Sequence, residues 1–340
     1  KHFPMRKCQT GGGRLKKKIL VIGSLNMDMV IEMKHMPKPG ETVLGETLSY
    51  KPGGKGGNQA YAAAKLGGSA SMLGCVGSDA LGKKLLDSMA ESGADTSHIF
   101  AEDREPTGMA VIFVNHFGDN SIVVVPGANT ACDTGFIKQN EELIRESDYI
   151  MFQMEIPYET VFYGICAAEK YGKKVILNPA PAPDPGEVPD EIWDKIDYLT
   201  PNETELLKLS GRSGTSLETI KAGAGDLLEK GVKNILVTMG SRGALFLNKK
   251  QEIFCPARKV NAVDTTAAGD CFNGAFVAGL AEGMSIPEAV NFANTASSIA
   301  VMRKGAQCSI PERSEVEALI EGNEGEQGKM KGGFYGTYNT

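Results

Sequence analysis

Two aspartates six residues apart, Asp264 and Asp270, bracket the run Thr265-Thr266-Ala267-Ala268-Gly269. Carboxylates, hydroxyls and a backbone without bulky side chains, all in one short stretch, can hold an anion and move a proton beside it. Beyond Asp270 the chain continues as Cys271-Phe272-Asn273-Gly274-Ala275-Phe276-Val277, which reads as a buried helix rich in small residues. A helix starting near Gly269 points its free N–H groups and the positive end of its dipole back at the loop, where an anion can sit. Asp270 is then a first-turn carboxylate beside that anion. An acidic cap on a core helix would account for Asp270 alone. A second Asp at this spacing, around such a run, favours chemistry.

A second stretch, Lys51-Pro52-Gly53-Gly54-Lys55-Gly56-Gly57-Asn58-Gln59, sets four glycines around one lysine, ahead of an alanine-rich helix expected over Asn58 to about Leu66. Glycines there let backbone N–H groups approach a ligand. It is not a P-loop of the Walker type, because Lys55 is followed by Gly56 rather than Ser or Thr. Asn58 serves equally well as a plain helix N-cap.

Something must position these stretches. Lys18-Ile19-Leu20-Val21-Ile22-Gly23 is a continuous apolar run ending in glycine, as a buried parallel strand should be. Asn26 and Asp28 follow just past its carboxyl end, where open α/β sheets bind ligands, and two residues apart they project to one side of an extended chain. They could also be turn formers. From Ala70 onward short apolar strands alternate with amphipathic helices, which predicts a mostly parallel sheet covered by helices on both faces. Polar residues recur at the strand ends, in Gln153-Met154-Glu155, Asn178-Pro179-Ala180 and Pro201-Asn202-Glu203-Thr204-Glu205. Asn202 and Glu205 share one face of a helix start and could equally form a capping box. Thr238-Met239-Gly240-Ser241-Arg242-Gly243 is a glycine-rich turn after a strand, or a simple hairpin. Extended pieces at about 29–52 and 107–126 break the rhythm and read as a small separate sheet, a lid. The expected organisation is a leader over 1–16, one α/β domain with its lid over 17–320, and a flexible tail over 321–340.

With 41% hydrophobic and 23% charged residues the chain has the composition of a soluble globular protein. A net charge of −6 excludes a nucleic-acid binder driven by phosphate contacts. No apolar run is long enough to span a membrane, and the N-terminus lacks a signal-peptide apolar region. Seven scattered cysteines without a Cys-x-x-Cys pair, and four dispersed histidines, indicate neither a disulfide framework nor a zinc site, which suits the reduced cytoplasm. Gly23-Ser24-Leu25-Asn26-Met27-Asp28 lacks the glycine fingerprint of a dinucleotide-binding oxidoreductase.

Asp264-Thr265-Thr266-Ala267-Ala268-Gly269-Asp270 resembles the active-site signature of the ribokinase-type (PfkB) carbohydrate kinases, Asp-Thr-x-x-Ala-Gly-Asp. The motifs quoted above, together with Arg303-Lys304-Gly305-Ala306-Gln307, are similar to that family in order over roughly residues 17–320. The Asn26/Asp28 pair and Gly-Gly-Lys-Gly resemble its ribose-phosphorylating members more than adenosine kinase or fructokinase. Gly57 stands where the family often has Ala.

The resemblance implies a ribokinase-like α/β fold and ATP-dependent phosphorylation of D-ribose at its 5-hydroxyl. Asn26, Asp28, Gly54, Lys55, Asn58, Glu155 and Asp270 would hold the sugar, with Asp270 as base and the backbone of Ala267, Ala268, Gly269 and Asp270 as anion hole. Asn202, Thr238, Gly240, Ser241, Gly243, Gly269 and Asn294 would line ATP. Asn202 and Glu205 would organise Mg²⁺ through water. Asp264, Thr266, Ala300, Gly305 and Ser309 would hold an activating K⁺, several through carbonyls. A homodimer through the lid sheet is expected, since an exposed sheet edge favours pairing with a second copy. A kinase of 2-deoxyribose, a nucleoside or fructose, or a non-catalytic sugar-binding relative, are the competing readings.

Overall fold

The structure is a computed structural model and describes residues 16–327. The expected leader, apart from Lys16, and the tail beyond Gln327 lie outside the described residues. The chain opens with β1 (Lys18–Ile22), β2 (Asn26–Met33), β3 (Gly45–Gly53), α1 (Lys55–Lys65), β4 (Ser69–Gly77) and α2 (Ala80–Glu91). It continues through β5 (Ile99–Glu102), β6 (Gly108–Asn115), β7 (Asn120–Val125), α3 (Thr134–Gln139), α4 (Glu141–Glu146) and β8 (Tyr149–Phe152). Next come α5 (Tyr158–Lys170), β9 (Lys174–Leu177), α6 (Asp190–Trp193), β10 (Tyr198–Leu199), α7 (Glu203–Ser210) and α8 (Leu217–Glu229). It ends with β11 (Ile235–Thr238), β12 (Gly243–Leu247), β13 (Glu252–Pro256), α9 (Ala268–Glu282), α10 (Ile286–Ala300) and α11 (Arg313–Gln327).

A nine-stranded sheet runs in the order β13-β12-β11-β10-β9-β8-β1-β4-β5, parallel except where β12 and β13 turn back. Its central strands are largely apolar because helices cover both faces, whereas the edge strands β5 and β13 are mixed. The alternation of side chains then divides them between two cores. Ile19 and Val21 of β1 join α1, α9 and α10 on one side, whereas Leu20 and Ile22 join α5, α7 and α8 on the other. Tyr149 and Met151 against Ile150 and Phe152 in β8 repeat the division. The chain leaves β1 for β4 on one side and returns to β8 on the other. The carboxyl ends of β1 and β8 therefore meet at a topological switch point, where a crevice opens.

The lid is a four-stranded sheet, β3-β2-β6-β7. Its central pair β2–β6 is parallel and its edge strands are antiparallel. β2 begins at Asn26, so Asn26 and Asp28 are the first residues of the lid rather than a turn after β1. Thr238–Gly243 does form the connection between antiparallel β11 and β12. α11 reaches Gln327, beyond the boundary at 321 where the tail was expected. Among the described residues no helix is long and apolar enough to cross a membrane.

Candidate active site

Close packing of small residues brings the two glycine-containing stretches together. A Cβ on Gly274 of α9 would lie 2.6 Å from the Gln59 carbonyl and from Ala62 Cβ of α1, so only glycine lets these helices approach so closely. That approach sets Asp270 against α1. Asn58 Nδ2 donates to Asp270 Oδ2 at 3.0 Å, and Gln59 Nε2 donates to Asp270 Oδ1 at 3.0 Å. α1 starts at Lys55 with Gly54 as its N-cap, three residues before the expected start. Asn58 is thus no cap but a buried side chain facing Asp270, and its Oδ1 has no partner among the described residues. Gly54 takes φ 85°, and a Cβ there would meet Asn26 N at 2.6 Å.

The residues expected to hold a sugar converge at the same place. Asn26 and Asp28 are buried, and Gly53 leaves room for the Asp28 carboxylate, which a Cβ would meet at 2.4 Å. Glu155 Oε2 accepts from Ser24 Oγ at 2.5 Å and from the Lys55 N–H at 3.0 Å, which ties the end of β8 to the start of α1. Burial pushes the Asp28 carboxyl up to about 7, with Glu155 and Asp270 adding to it and Lys51 and Lys55 opposing. Burial works against the Lys55 ammonium, but Asp270, Glu155, Glu205 and Asp28 outweigh it and its pKa is raised.

Ala267 precedes α9 with φ 57° and ψ 13°, the one non-glycine residue of positive φ among the described residues. That conformation costs about 1–2 kcal/mol and is the kind of strain found at ligand-clamping turns. The N–H groups of Ala267, Gly269 and Asp270 donate to no described partner, as an anion site requires. Ala268 differs from expectation: its N–H donates to the Thr265 carbonyl at 3.2 Å.

A cavity of about 210 Å³ opens over this turn, lined among others by Lys55, Asn202, Glu205, Thr238, Gly269 and Asp270. Asn202 and Glu205 form the capping box of α7, with Asn202 Oδ1 accepting from the Glu205 N–H and Glu205 Oε2 from the Asn202 N–H. One Glu205 oxygen and the Asn202 amide nitrogen remain for other work. Burial raises the Glu205 carboxyl, against the Asn202 N–H and Lys55. Gly240, Ser241, Gly243 and Asn294 do not line this cavity. Gly243 lies against β13, where a Cβ would meet the Cys255 carbonyl at 2.1 Å, and Asn294 Nδ2 donates to that same carbonyl at 3.2 Å. The two thus share one place at the β12–β13 end, next to the Thr238 turn.

Asp264 fastens the loop. Its Oδ1 accepts from the Thr266 N–H and its Oδ2 from the Gly305 N–H, both at 2.9 Å. Burial opposes its charge, yet those bonds hold its carboxyl below the usual range. The Ala300 carbonyl accepts from Arg303 N–H, and Ser309 Oγ donates to the Ala306 carbonyl, so no described hydrogen bond links either to Asp264. Among the described residues no three acidic, His or Cys side chains could hold a metal, so a cation here would depend on carbonyls and water.

Sequence reasoning passed over Ser24, Gln59 and Asn129. Asn129 is buried and pins both crossings into the lid, accepting from the Leu25 N–H at 2.9 Å and donating to Asn26 Oδ1 at 2.8 Å and to the Pro126 carbonyl at 2.9 Å. Asn26 therefore has its amide nitrogen, not its oxygen, left for a ligand. The adjacency of Gln59 to Asn58 was the available signal. Asn129 carried none, standing alone in Gly-Ala-Asn after a strand.

A family profile described as pfkB family carbohydrate kinase matches residues 16–313. Ribokinase of Haemophilus influenzae is 40% identical over 90% of this chain and 99% of its own. Deoxyribokinase of Salmonella typhi is 37% identical over 90% and 99%. The structure of Arabidopsis thaliana ribokinase complexed with ribose and ATP superposes with a TM-score of 0.83 at 35% identity, covering 90% of this chain and 99% of that one.

Proposed function

The chain belongs to the pfkB family of carbohydrate kinases, and on that premise we propose that it transfers the γ-phosphoryl group of ATP to the 5-hydroxyl of D-ribose. The observation that carries this reading is the Asp270 carboxylate held by Asn58 and Gln59 at the mouth of a strained, N–H-bearing turn. Phosphoryl transfer has a loose transition state, so the protein mainly positions reactants and offsets charge. The sugar lies between the lid residues Asn26 and Asp28 and the body residues Gly54, Lys55, Asn58 and Glu155. Asp270 orients the 5-hydroxyl and takes its proton as the new O–P bond forms and the bond to the β-phosphate oxygen breaks. The N–H groups of Gly269 and Asp270 receive charge on the phosphoryl oxygens. Asn202 and Glu205, with their spare polar atoms in the cavity, suit Mg²⁺ held through water, which supplies charge neutralisation on the phosphates. ATP runs from Gly269 past Thr238 toward Gly240, Ser241, Gly243 and Asn294.

A coupled ADP-release assay with ATP, Mg²⁺ and K⁺ tests the reading across ribose, 2-deoxyribose, fructose and adenosine. Strong ribose-dependent turnover is the expected result; turnover on none of them, with sugar still bound, would leave a sugar-binding protein. A 2-deoxyribose kinase is the second reading, favoured by the similarity to a deoxyribokinase, and the same assay ranks the two sugars.

Asp264, Thr266, Ala300, Gly305 and Ser309, several through backbone carbonyls, would hold a K⁺ that supplies positive charge beside the anion-hole turn without touching substrate. Turnover is expected to be higher in K⁺ than in Na⁺ at equal ionic strength, and equal rates would remove this site. The Asp28 carboxyl must ionise to accept two sugar hydroxyls, and its pKa is about 7 in the free protein. Ribose affinity is therefore expected to tighten about tenfold between pH 6 and 8 by proton linkage, a change that Asp28→Asn abolishes; calorimetry showing constant affinity over that range would exclude Asp28 as the acceptor.

The lid presents apolar side chains on its edge strands, with Leu48, Tyr50, Val123 and Val125 each about half exposed. They share one face of the sheet, since Met29 pairs with both Tyr50 and Val111, and Val111 with Val123. A homodimer through this sheet, in the cytoplasm, completes the proposal.

A further inference from the structure

Gln59 and Gln153 are fully buried, and beyond the bond of Gln59 to Asp270 neither has a role in the reading above. Gln59 Nε2 donates to Asp270 Oδ1 and to Asn178 Oδ1, both at 3.0 Å, while its Oε1 accepts from Gln153 Nε2 at 2.8 Å. The direction of this chain is set from its far end. Asn178 Nδ2 donates to the Thr200 backbone carbonyl at 2.8 Å, which turns Asn178 Oδ1 toward Gln59. A backbone carbonyl only accepts, so Asn178 cannot be reversed, and Gln59 must then present its NH₂ group. One of that group's protons goes to Asn178 and the other reaches Asp270. Reversing Gln59 would press its oxygen against two acceptors in a buried place, a heavy penalty without water to relieve it.

Asn58 and Gln59 each take one oxygen of the same carboxylate. Asn58 is also one of the residues proposed to hold the sugar, and its buried Oδ1 has no partner among the described residues. Gln59 has both amide hydrogens and its oxygen engaged, by Asp270, Asn178 and Gln153. We propose that Gln59 is a positioning residue for the base: locked by Asn178 and Gln153, it holds one oxygen of Asp270 and keeps the carboxylate aimed at the sugar hydroxyl. The inference rests on Asp270 being the base. It also explains why strand ends far apart in sequence carry amides at this edge. Gln153 directly follows β8, Asn178 follows β9 and Thr200, with its carbonyl, follows β10, so the edge of the sheet orients the base.

Asp270 also faces Lys55 from α1, Asp28 from the lid, Glu205 from α7 and the Cys271 thiol on its own helix. None of these residues is substituted in a Gln59 variant, and the acid limb is read in kcat at saturating ribose, because ionisation of Asp28 already shapes kcat/KM between pH 6 and 8. Two variants are compared with the parent in kcat and kcat/KM for ribose from pH 5 to 9. Gln59→Glu keeps an acceptor for Gln153 and sets a second carboxyl against Asp270. The pair then resists double ionisation, and the acid limb of the profile moves up by about one pH unit or more. Gln59→Met removes the donor, and kcat falls about ten- to a hundredfold as the base loses its aim, with ribose KM nearly unchanged.

If Gln59→Met does not fold, Gln59→Glu decides alone. An acid limb in folded Gln59→Glu that superimposes on the parent's overturns the proposal, as does a raised ribose KM at unchanged kcat. Asp270→Asn separates the two layers. An inactive Asp270→Asn with an unmoved Gln59→Glu profile removes only the role of Gln59, whereas an active Asp270→Asn removes the base reading and this inference with it.

Discussion

Asp270→Asn is expected to lower the turnover of ribose about 10²–10⁴-fold, the range of general-base assistance, while ribose still binds. The variant keeps the shape of the side chain but gives it a poor proton acceptor. It also turns one oxygen into an NH₂ group, which must face either Asn58 or Gln59, and both now donate to that carboxylate. Gln59 is locked from behind by Asn178 and Gln153. Asn58 is not, and can reverse its amide to offer the oxygen that lacks a partner. The substituted amide therefore settles with its nitrogen toward Asn58, and the protein folds at a cost of about 1–3 kcal/mol at most. Because Asn58 is also one of the proposed sugar-binding residues, ribose affinity is expected to weaken by about tenfold or less. Single-turnover phosphoryl transfer, measured at saturating ribose and ATP, isolates the chemical step. A rate within a few-fold of the parent would show that the proton leaves by another route.

A mostly parallel sheet, its helix cover and the lid were legible because each rests on a short-range pattern, whereas the order of the strands depends on pairings between segments far apart in the chain and was not read. Ile19–Ile22 is apolar on both faces and reads as a buried strand, and the Gly118-Asp119 turn sits between two apolar runs. β5 and β13 escaped the reading because their residues are largely exposed or mixed, Ile99–Glu102 and Glu252–Pro256, and only pairing with a neighbour makes them strands. α1 was placed too late. Gly56 and Gly57 are poor helix formers, yet both are helical. A Cβ on Gly56 would meet Ser24 N at 2.6 Å, so the fold requires glycine against the β1–β2 turn and accepts the loss of propensity. The same tertiary demand decided Asn58, whose local role as a cap was plausible but whose partner lies 212 residues away. At Asn202 and Glu205 the local reading is the one observed, and the capping box leaves polar atoms over, so it does not conflict with the proposed role. Gln59 illustrates the limit. Nothing in its neighbours reveals a partner just past β9 or β8, and only the assembled sheet edge brings those amides to it.

Lys55→Met is expected to damage both catalysis and the folded state, and pH separates the two effects. Lys55 stands at the first helical position of α1 with Asp270, Glu155, Glu205 and Asp28 around it, and their combined attraction holds its charge against burial. It lines the cavity with Gly269 and Asp270, so it is placed to offset charge on the group in flight. Loss of one such charge-stabilising donor lowers kcat about 10²–10³-fold. In the folded state the variant leaves four carboxylates facing one another without that cation. The deficit lies between that of a surface pair and a buried one, about 1–3 kcal/mol.

Its sign with pH follows from Asp28, whose folded pKa of about 7 lies above its ordinary 3.8. A raised carboxyl pKa favours the folded state at low pH, and that advantage is lost as pH rises through the folded value. Without Lys55 the negative cluster is worst where Asp28 is ionised, so the melting temperature of Lys55→Met should fall away from the parent's between pH 6 and 8. The two curves should converge toward pH 5. Lys55→Arg restores the charge, and with it most of the stability at pH 8. It does not restore the geometry, because a planar guanidinium cannot replace a compact ammonium between sugar and phosphate, and its turnover should stay low. Parallel melting curves for the parent and Lys55→Met across that pH range would mean that the carboxylates do not share this cation.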